Sequence, residues 1–426
     1  MKTFKTNYLI LMIIISSVLT FNSCEREKIF PEADNSVEEL YNIMDYYYLW
    51  NDSLPTVDVE DYSKPEDLLE ALRYTPRDKW SYISTKQEES QYYDEGTYTG
   101  HGFSYSADMD GKIRISYLFE SSSLNDAGIK RGWIINKING TPIDENSDVS
   151  SLLGASTIGV TNSFEFESPA GTILNQSFSK ELITINTVLH KSVITVDTKK
   201  VGYLVFESFI NPSIDELTDA FIYFKAENVT DLIVDLRYNG GGLMSVVEHL
   251  ASLIIPDRLN NQLFLTYIHN HDLTSENFSY NFKLSSYSLG LEKVYFIATN
   301  GSASASEAII NGLDPYLDIL IIGDDSYGKP VGMYSFESNV SDYVYVPITF
   351  KIINSAGYGE YYDGLTADAY ADDDLTHDFG DVNESSLAEA LYHIRNGSFS
   401  SKKSKLTIKR QPKKEIRTPK DELGAY

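Results

Sequence analysis

Three serines alternate with small residues in the segment GSASASE, residues 301–307, which leads directly into an apolar run. A serine becomes a nucleophile for acyl transfer when a neighbouring base takes its proton. Ser304 and Glu307 also have the spacing of a capping box, which predicts a helix over residues 305–313. The segment alone therefore leaves two interpretations open: one serine is a nucleophile, or the serines only cap a helix.

Two segments on either side of the serines carry further residues that could take part in catalysis. The segment DLIVDLRYNGGG is a predicted strand that opens into glycines, and IIGDDSYGKP is a predicted strand followed by the glycine-flanked Lys329. Considered singly, the glycines favour an ordinary turn between a strand and a helix, and the lysine favours a surface turn. A phosphate loop is disfavoured because neither Lys-Ser nor Lys-Thr follows the glycines. A Ser-His-Asp hydrolase is disfavoured because the chain has no G-x-S-x-G elbow.

Taken together, these three segments resemble the C-terminal processing peptidases, also called tail-specific proteases, a family of Ser/Lys serine peptidases. In that family the general-base lysine follows the nucleophile by 25 residues, and Lys329 follows Ser304 by 25 residues. The resemblance implies that Ser304 is the nucleophile and Lys329 the general base. It leaves structural or secondary roles to Ser302 and Ser306 and a supporting role to Glu307.

An oxyanion hole is expected beside Ser304. The first N–H groups of a helix and the positive end of its dipole favour a developing negative charge, so the N–H of Ala305 is one predicted donor. The resemblance implies that the second donor comes from the glycines after Asn239, and we assign it to Gly241. Glycine suits this position because the backbone must approach the scissile carbonyl closely.

Lysine acts as a base only when it is neutral. An ordinary lysine has a pKa of about 10.4, and lowering this pKa to about 7–8 costs about 4 kcal/mol, which burial among apolar groups can supply. Tyr327, Val331 and Met333 are the apolar neighbours that the sequence offers for such a pocket. Members of the family often carry a glutamine at the position of Met333 that orients the lysine. The departure leads us to expect that another group holds Lys329 and that turnover is slow.

Residues 96–195 have a pattern typical of β-strands, with short segments of alternating apolar and polar residues. Turns such as Asp110-Gly111 and Asn139-Gly140 separate these segments. Within them, SSSLNDAGIKRGWIINKINGTPI, residues 121–143, resembles the PDZ domain of the same family. The segment GHGF resembles the carboxylate-binding loop of that domain. It implies that the backbone N–H groups around Gly100, His101, Gly102 and Phe103 bind the C-terminal carboxylate of a peptide. The alternative is a β-rich domain that only links its neighbours.

The pattern as a whole predicts a multidomain α+β protein with five segments. Three of its helices are predicted to open with capping boxes at Ser36, Ser63 and Ser213. By resemblance, the third folded domain has a ClpP/crotonase-like α/β peptidase core, with continuous apolar strands that both faces of a sheet would bury. The segments are a signal peptide (1–23), a small helical region (24–95), a PDZ-like domain (96–195), the catalytic domain (196–400) and a basic, disordered tail (401–426).

The N-terminus predicts export. Lys2 and Lys5 precede an apolar run over residues 8–21 that is too short to span a bilayer, and the sequence FNSC follows it. These residues resemble the lipobox of bacterial lipoproteins, in which Cys24 would be acylated and hold the protein on a membrane of the cell envelope. The alternative is a signal that is cleaved without lipidation. Because Cys24 is the only cysteine, disulfides and a cysteine protease are excluded for the exported chain.

Charge and composition limit the classes of partner and ligand that the protein is expected to bind. The formal net charge of −27 disfavours nucleic acid, whose phosphates would be repelled. His269 and His271 form the only close histidine pair, and no third ligand is in view, so we expect neither a metal nor another cofactor. The expected partners are polypeptides, recognised through their C-termini, and a membrane surface; the oligomeric state stays open. A peptide-binding protein without turnover and a carrier for apolar ligands remain as rival functions.

Overall fold

The structure is a computed structural model that describes residues 35–400 of the 426-residue chain. The predicted signal peptide (1–23), Cys24 and the predicted basic tail (401–426) lie outside the described residues. Across residues 35–400, no helix is both long and apolar enough to cross a membrane. An N-terminal region, a β-rich region and an α/β region follow one another along this part of the chain.

Two amphipathic helices dominate the N-terminal region, as the sequence predicts. Their apolar residues lie on one face and join a core that includes Trp80. Pro65 occupies the first position of the second helix, where its missing N–H has no consequence. The elements are α1 (Ser36–Tyr47), α2 (Pro65–Leu72), β1 (Tyr82–Thr85) and α3 (Lys86–Glu89), with 3₁₀ turns at Asn51–Ser53 and Val59–Asp61 and a π-helical turn at Ser90–Asp94.

The predicted capping boxes of these two helices are wrong. Asn35, not Ser36, caps α1, and its side chain accepts hydrogen bonds from two backbone N–H groups of the first turn. Glu39 instead accepts a hydrogen bond from the hydroxyl of Ser338 in the α/β region. Lys64 precedes α2 and makes no side-chain cap. The capping box predicted at Ser36 therefore does not form, because its glutamate, Glu39, is hydrogen-bonded to Ser338 instead.

Antiparallel strands build the β-rich region. Its elements are β2 (Thr97–Gly100), β3 (Phe103–Ala107), β4 (Ile113–Leu118), α4 (Ser123–Asp126), β5 (Ile134–Ile138), β6 (Thr141–Pro142), α5 (Val149–Leu153), β7 (Thr161–Glu167), β8 (Ile173–Ser179) and β9 (Glu181–Thr184). The strand order is β3-β4-β5-β7-β8, with β6 paired to β5 and β2 paired to β9. Both predicted hairpins are confirmed, since Asp110-Gly111 joins β3 to β4 and Asn139-Gly140 joins β5 to β6.

Strands and helices alternate through the α/β region. Its elements are β10 (Val188–Val196), β11 (Lys199–Phe206), α6 (Ser213–Ala226), β12 (Asp231–Asp235), α7 (Met244–Ile254), β13 (Leu263–His269), β14 (Phe278–Asn281), β15 (Lys293–Ala298), α8 (Ala305–Leu313), β16 (Asp318–Gly323), β17 (Val331–Met333), β18 (Phe336–Glu337), β19 (Tyr343–Val346), β20 (Ile348–Asn354), β21 (Ala369–Tyr370) and α9 (Ser385–Asn396), with 3₁₀ turns at Asp257–Leu259 and His271–Glu276. The predicted capping box at Ser213 is wrong, because that hydroxyl donates to the Ser208 carbonyl.

The central sheet positions the functional loops. Its order is β10-β11-β12-β15-β16-β21, and the strands from β11 to β21 run parallel. One face is covered by α6, α7 and α8, and the other by α9, so the middle strands are buried on both sides, as predicted. The carboxyl ends of β12, β15 and β16 therefore meet at one edge of the sheet. This is the edge at which open α/β sheets bind their ligands.

Two smaller sheets bring the N-terminal region to the same edge. One has the order β1-β19-β18 and the other the order β14-β13-β20-β17. Strand β1 thus joins the N-terminal region to the segment that follows Lys329. Trp80, just ahead of β1, shares a core with Val331 and Ile348 from this segment. The N-terminal region consequently packs beside the lysine rather than apart from it.

Candidate active site

Ser304 lies between β15 and α8, in a backbone conformation that serine rarely adopts. Its φ is +55° and its ψ is −111°. Such a conformation costs on the order of 1–3 kcal/mol and persists only where the surroundings enforce it. It places the serine at the start of the predicted helix over residues 305–313, whose bounds are confirmed.

The three serines differ in what surrounds their hydroxyl groups. Ser302 and Ser306 are fully buried, and their hydroxyls donate to the carbonyls of Leu236 and Asn239 at 2.7 and 2.9 Å. They tie the serine segment to the loop after β12. Ser304 is partly exposed. It is therefore the serine of the three that a substrate can approach.

Glu307 binds the two halves of the predicted dyad together. Its Oε2 accepts hydrogen bonds from the backbone N–H groups of Ser304 and Lys329, at 3.0 and 2.8 Å. Its Oε1 accepts from the Ser326 hydroxyl at 2.5 Å and from the Gly328 N–H at 2.7 Å. The side chain is fully buried. Burial raises the pKa of Glu307, and the four donors oppose that shift.

Lys329 lies on the segment between β16 and β17 and is 5% exposed. Its Nζ donates a hydrogen bond to Met333 Sδ at 3.3 Å, so the thioether at the position of the family's glutamine itself contacts the amine. The ring of Trp80 lies 6.0 Å from Nζ. Sequence analysis missed Trp80, because no local pattern links the N-terminal region to the lysine. An indole face attracts a cationic amine at this distance.

The loop after β12 brings backbone close to Ser304. Gly241 has a φ of +108°, and a Cβ at this position would lie 2.8 Å from Ser304 Cβ and 3.0 Å from Ala305 N. Only glycine fits there. The Gly241 N–H, however, donates to Asn239 Oδ1 at 2.9 Å. The structure thus places Gly241 beside the serine but engages the N–H that was predicted to bind the oxyanion.

Ala305 begins α8, and the first N–H groups of a helix have no carbonyl partner within it. A Cβ added at Gly241 would lie 3.0 Å from the Ala305 nitrogen, closer than ordinary contact. The predicted donor and the predicted nucleophile are therefore adjacent. An oxygen bound at this helix end would also lie at the positive end of the helix dipole.

A buried ionic network holds the start of the loop that follows β12. Arg237, 1% exposed, donates to the carboxylates of Asp235, Asp373 and Glu384. Arg131 of the β-rich region reaches the same Asp373 at 3.0 Å. Although burial opposes it, the two guanidinium groups hold the pKa of Asp373 below its ordinary value. Sequence analysis missed this network because its members are far apart along the chain.

The GHGF segment lies in the β-rich region. Gly100 ends β2, Phe103 begins β3, and among residues 35–400 the backbone N–H groups of His101 and Gly102 have no hydrogen-bond partner. Gly102 has a φ of +76°, and a Cβ there would lie 2.6 Å from Ser122 Cβ. The His101 side chain is buried, with Nε2 2.7 Å from Asn162 Oδ1, and burial lowers its pKa. The segment thus presents backbone N–H groups rather than the imidazole.

The remaining residues that the sequence singled out are Cys24 and the histidine pair His269 and His271. Cys24 lies outside the described residues. Within residues 35–400, no group of three or more histidine, aspartate, glutamate or cysteine side chains is arranged to hold a metal ion. His269 instead hydrogen-bonds the Tyr334 hydroxyl at 3.0 Å, and His271 lies between two surface aspartates.

Two family models match the chain. Residues 200–370 match the model described as peptidase family S41, and residues 38–82 match the model of the peptidase S41 N-terminal domain. The carboxy-terminal processing protease CtpB of Bacillus subtilis (strain 168) is 26% identical over 311 residues, which cover 72% of this chain and 60% of that protein. A "Probable CtpA-like serine protease" of Staphylococcus aureus (strain MRSA252) is 24% identical over 70% of this chain and 56% of its own length.

The chain thus spans about 60% or less of the length of these curated relatives. A crystal structure described as a "Putative S41 protease" from Bacteroides fragilis NCTC 9343 superposes with a TM-score of 0.70 at 24% identity, covering 87% of this chain and 99% of the other. This likeness shows that the two proteins share a fold.

Proposed function

The chain belongs to peptidase family S41, and from the geometry of its serine and lysine we propose that it is a serine endopeptidase. One observation carries the proposal: a single buried oxygen, Glu307 Oε2, accepts hydrogen bonds from the backbone of both Ser304 and Lys329. That oxygen fixes the spacing of the two segments. Proton transfer is efficient only when a nucleophile and its base are held in a fixed relative geometry.

In the proposed reaction, Lys329 Nζ takes the proton of Ser304 Oγ as the oxygen attacks the scissile carbonyl. The carbonyl oxygen becomes an oxyanion, to which the Ala305 N–H donates a hydrogen bond. The lysine then gives its proton to the leaving amine, and an acyl-serine remains. Water, deprotonated by the same lysine, hydrolyses this ester and restores the serine.

Gly241 is proposed as the second oxyanion donor, with one condition. Its N–H donates to Asn239 Oδ1 at 2.9 Å, so an oxyanion must share or replace that acceptor. A full negative charge is a stronger acceptor than an amide oxygen. We therefore expect the Gly241 N–H to turn towards the substrate as the tetrahedral intermediate forms.

A serine-reactive fluorophosphonate probe tests the proposed nucleophile. We expect it to label wild-type protein and not the Ser304→Ala variant. Ser335→Ala, which alters an exposed serine between β17 and β18, is the matched control and should label as wild type does. Labelling that survives Ser304→Ala would contradict the assignment. An unlabelled wild-type protein would favour the rival function of peptide binding without turnover.

The proposed substrates are polypeptides captured by their C-termini through a PDZ-like fold of the β-rich region. The N–H groups of His101 and Gly102 support this proposal, because successive backbone donors form a nest for an anion. Strand β3, which follows them, is the outermost strand in the order β3-β4-β5-β7-β8. Extended peptides bind sheets at such positions.

Peptides with a free C-terminal carboxylate should bind more tightly than their amidated forms. Gly102→Ala should weaken binding of the free peptide, because its Cβ would collide with Ser122. Gly128→Ala is the matched control, since Gly128 also has positive φ, +82°, but open space around it. Equal affinities of free and amidated peptides in calorimetry would remove the carboxylate nest.

Lipid anchoring to the cell envelope is proposed from the N-terminal sequence alone. The short apolar run before Cys24 supports it. Acylation adds apolar chains that hold a protein on a membrane surface. Cys24→Ala should therefore move the protein from the membrane fraction to the soluble fraction. A variant that sediments with membranes as wild type does would contradict lipidation at this residue.

A further inference from the structure

Exposed and buried residues alternate along the turn that ends at Trp80. Asp78 and Trp80 are buried, whereas Arg77 and Lys79 are exposed. Asp78 fixes this alternation, because its Oδ1 accepts hydrogen bonds from the backbone N–H groups of Trp80 and Ser81, at 2.9 and 3.0 Å. Its Oδ2 accepts a third, from the Ser81 hydroxyl, at 2.6 Å. The two cations therefore lie on the solvent side of a turn that is held by hydrogen bonds.

Each of the two cationic groups packs on a tyrosine ring. The Cζ atom of Arg77 lies 4.0 Å from the ring centroid of Tyr362. The Nζ atom of Lys79 lies 4.5 Å from the ring centroid of Tyr327. Within residues 35–400, neither cationic side chain makes a hydrogen bond or an ion pair. A ring covers only the face of a guanidinium and leaves the N–H donors at its edge for a planar carboxylate.

The two tyrosines belong to the segments that hold the proposed dyad. The Tyr327 N–H donates a hydrogen bond to the Ser302 carbonyl at 3.0 Å, which ties it to the serine segment. The Tyr362 carbonyl approaches Gly328 so closely that a Cβ at this glycine would lie 2.3 Å from the carbonyl oxygen. Gly328 directly precedes Lys329. The tyrosines therefore place both cations beside the dyad.

Lys79 and Lys329 contact the same indole. Their Nζ atoms lie 5.4 and 6.0 Å from the Trp80 ring, so the exposed amine cannot be farther from the proposed base than these two distances together. An extended peptide advances about 3.3 Å per residue. A substrate side chain a few residues from the scissile bond can therefore reach Lys79.

The charge of the whole protein makes these cations important for an acidic substrate. The formal net charge is −27, so a negatively charged peptide is repelled at long range. Glu360 acts on the Tyr362 hydroxyl, but it is paired with Lys351. Arg77 and Lys79 can thus offset the repulsion at the place where the peptide is cut. Exposed charges of this kind act mainly on selectivity and on the rate of association.

We propose that Arg77 and Lys79 form a carboxylate-binding site, which makes the enzyme prefer substrates with aspartate or glutamate close to the scissile bond. The edge of the guanidinium donates to both oxygens of the carboxylate, and the amine adds a second positive charge. This inference rests on the proposed function, since it names a feature of the substrate. It is separate from the capture of a C-terminal carboxylate, which is proposed for the GHGF segment.

Matched peptides test the preference. The scissile bond of a parent peptide without acidic residues is located by mass spectrometry, and glutamate and glutamine are then compared at each position near that bond. The measured quantity is the ratio of kcat/KM for the glutamate peptide to kcat/KM for the glutamine peptide. Any effect of a variant on Lys329 itself cancels in this ratio. In wild type the ratio should reach about five or more at one position at low salt, and it should shrink as salt is added.

Two double variants show where the preference arises. Arg77→Gln combined with Lys79→Gln should bring the ratio to about one. Lys64→Gln combined with Lys112→Gln is the matched control, since it removes two other exposed positive charges, and it should keep the wild-type ratio. A ratio near one at every position in wild type would overturn the proposal. So would a ratio that persists without Arg77 and Lys79, or one that the control loses equally.

A binding measurement separates this inference from the proposed function. In Ser304→Ala protein, calorimetry compares the same glutamate and glutamine peptides, which share one C-terminus. If the glutamate peptide binds more tightly and adding Arg77→Gln and Lys79→Gln abolishes the difference, the carboxylate site is supported. If no serine labels in wild type while this difference holds, only the proposed function fails. If Ser304 labels but the two peptides are bound and cleaved equally, only the carboxylate site fails.

Discussion

Replacement of Glu307 by glutamine should reduce activity more than it reduces stability. The carboxylate accepts four hydrogen bonds, two at each oxygen, and two of the donors are the backbone N–H groups of Ser304 and Lys329. Glutamine keeps one oxygen and presents an NH₂ group to the other pair of donors. Two buried donors are then left without an acceptor, whichever way the amide is turned.

The magnitude follows from that count. Each unsatisfied buried donor costs about 1–3 kcal/mol, so the two together cost about 2–6 kcal/mol of the unfolding free energy. When the NH₂ group faces the N–H groups of Ser304 and Lys329, release of Ser304 from its positive φ returns about 1–3 kcal/mol of strain. We therefore expect a net loss near the lower end, about 2–3 kcal/mol, which a typical domain survives. In that orientation Ser304 and Lys329 lose the oxygen that they share, and kcat/KM should fall about a hundredfold.

Urea unfolding and kcat/KM should be measured for wild type, Glu307→Gln and a control, Glu216→Gln. Glu216 lies on α6 and accepts hydrogen bonds at one oxygen, from the Val188 N–H and the Thr187 hydroxyl. A glutamine carbonyl can accept both bonds, so the control should keep near-wild-type stability and activity. If Glu307→Gln also kept both, the glutamate would not be holding the dyad, and the reasoning would be refuted.

Two further predictions concern parts of the site that the sequence did not reveal. Trp80→Ala should expose the Lys329 amine and cost about 3–5 kcal/mol of unfolding free energy. Trp80→Phe should cost less and keep most of the activity. Equal kcat/KM in wild type and both variants would contradict a role for the indole. Asp373→Asn should cost about 3 kcal/mol at pH 7 in urea unfolding. Because the pKa of Asp373 is lowered in the folded protein, that cost should shrink as the pH falls below the ordinary carboxyl value of about 3.9, and a cost independent of pH would contradict the network.

Local signals predicted the elements that carry the site. The apolar runs of β12, β15 and β16 indicated strands buried on both faces, and their parallel pairing brings the serine and glycine loops to one edge. Asn139-Gly140 specified a tight hairpin, because both residues can adopt positive φ. Gly397 ends α9 in a left-handed conformation, which glycine adopts readily. These features depend on neighbours along the chain.

Features that depend on distant residues were not predictable in this way. The S-x-x-E spacing suggested a capping box at Ser36, but Glu39 is bound by Ser338 from another region. Trp80 reaches Lys329 only because β1 pairs with β19. The engagement of the Gly241 N–H by Asn239 depends on loop geometry that spacing does not encode. The missing capping box, the position of Trp80 and the hydrogen bond of Gly241 all depend on tertiary contacts, which the periodicity of the sequence does not specify.

The most direct test of the central claim is kcat/KM of Lys329→Arg on an unstructured peptide, measured beside its urea unfolding. Arginine keeps the positive charge and much of the length of lysine, but its guanidinium stays charged at any working pH and cannot take the serine proton. A general base contributes about 10²–10⁴-fold, so kcat/KM should fall by at least that factor in a folded protein. A folded Lys329→Arg variant that cleaves the peptide at the wild-type rate would contradict the assignment of Lys329 as the base of Ser304.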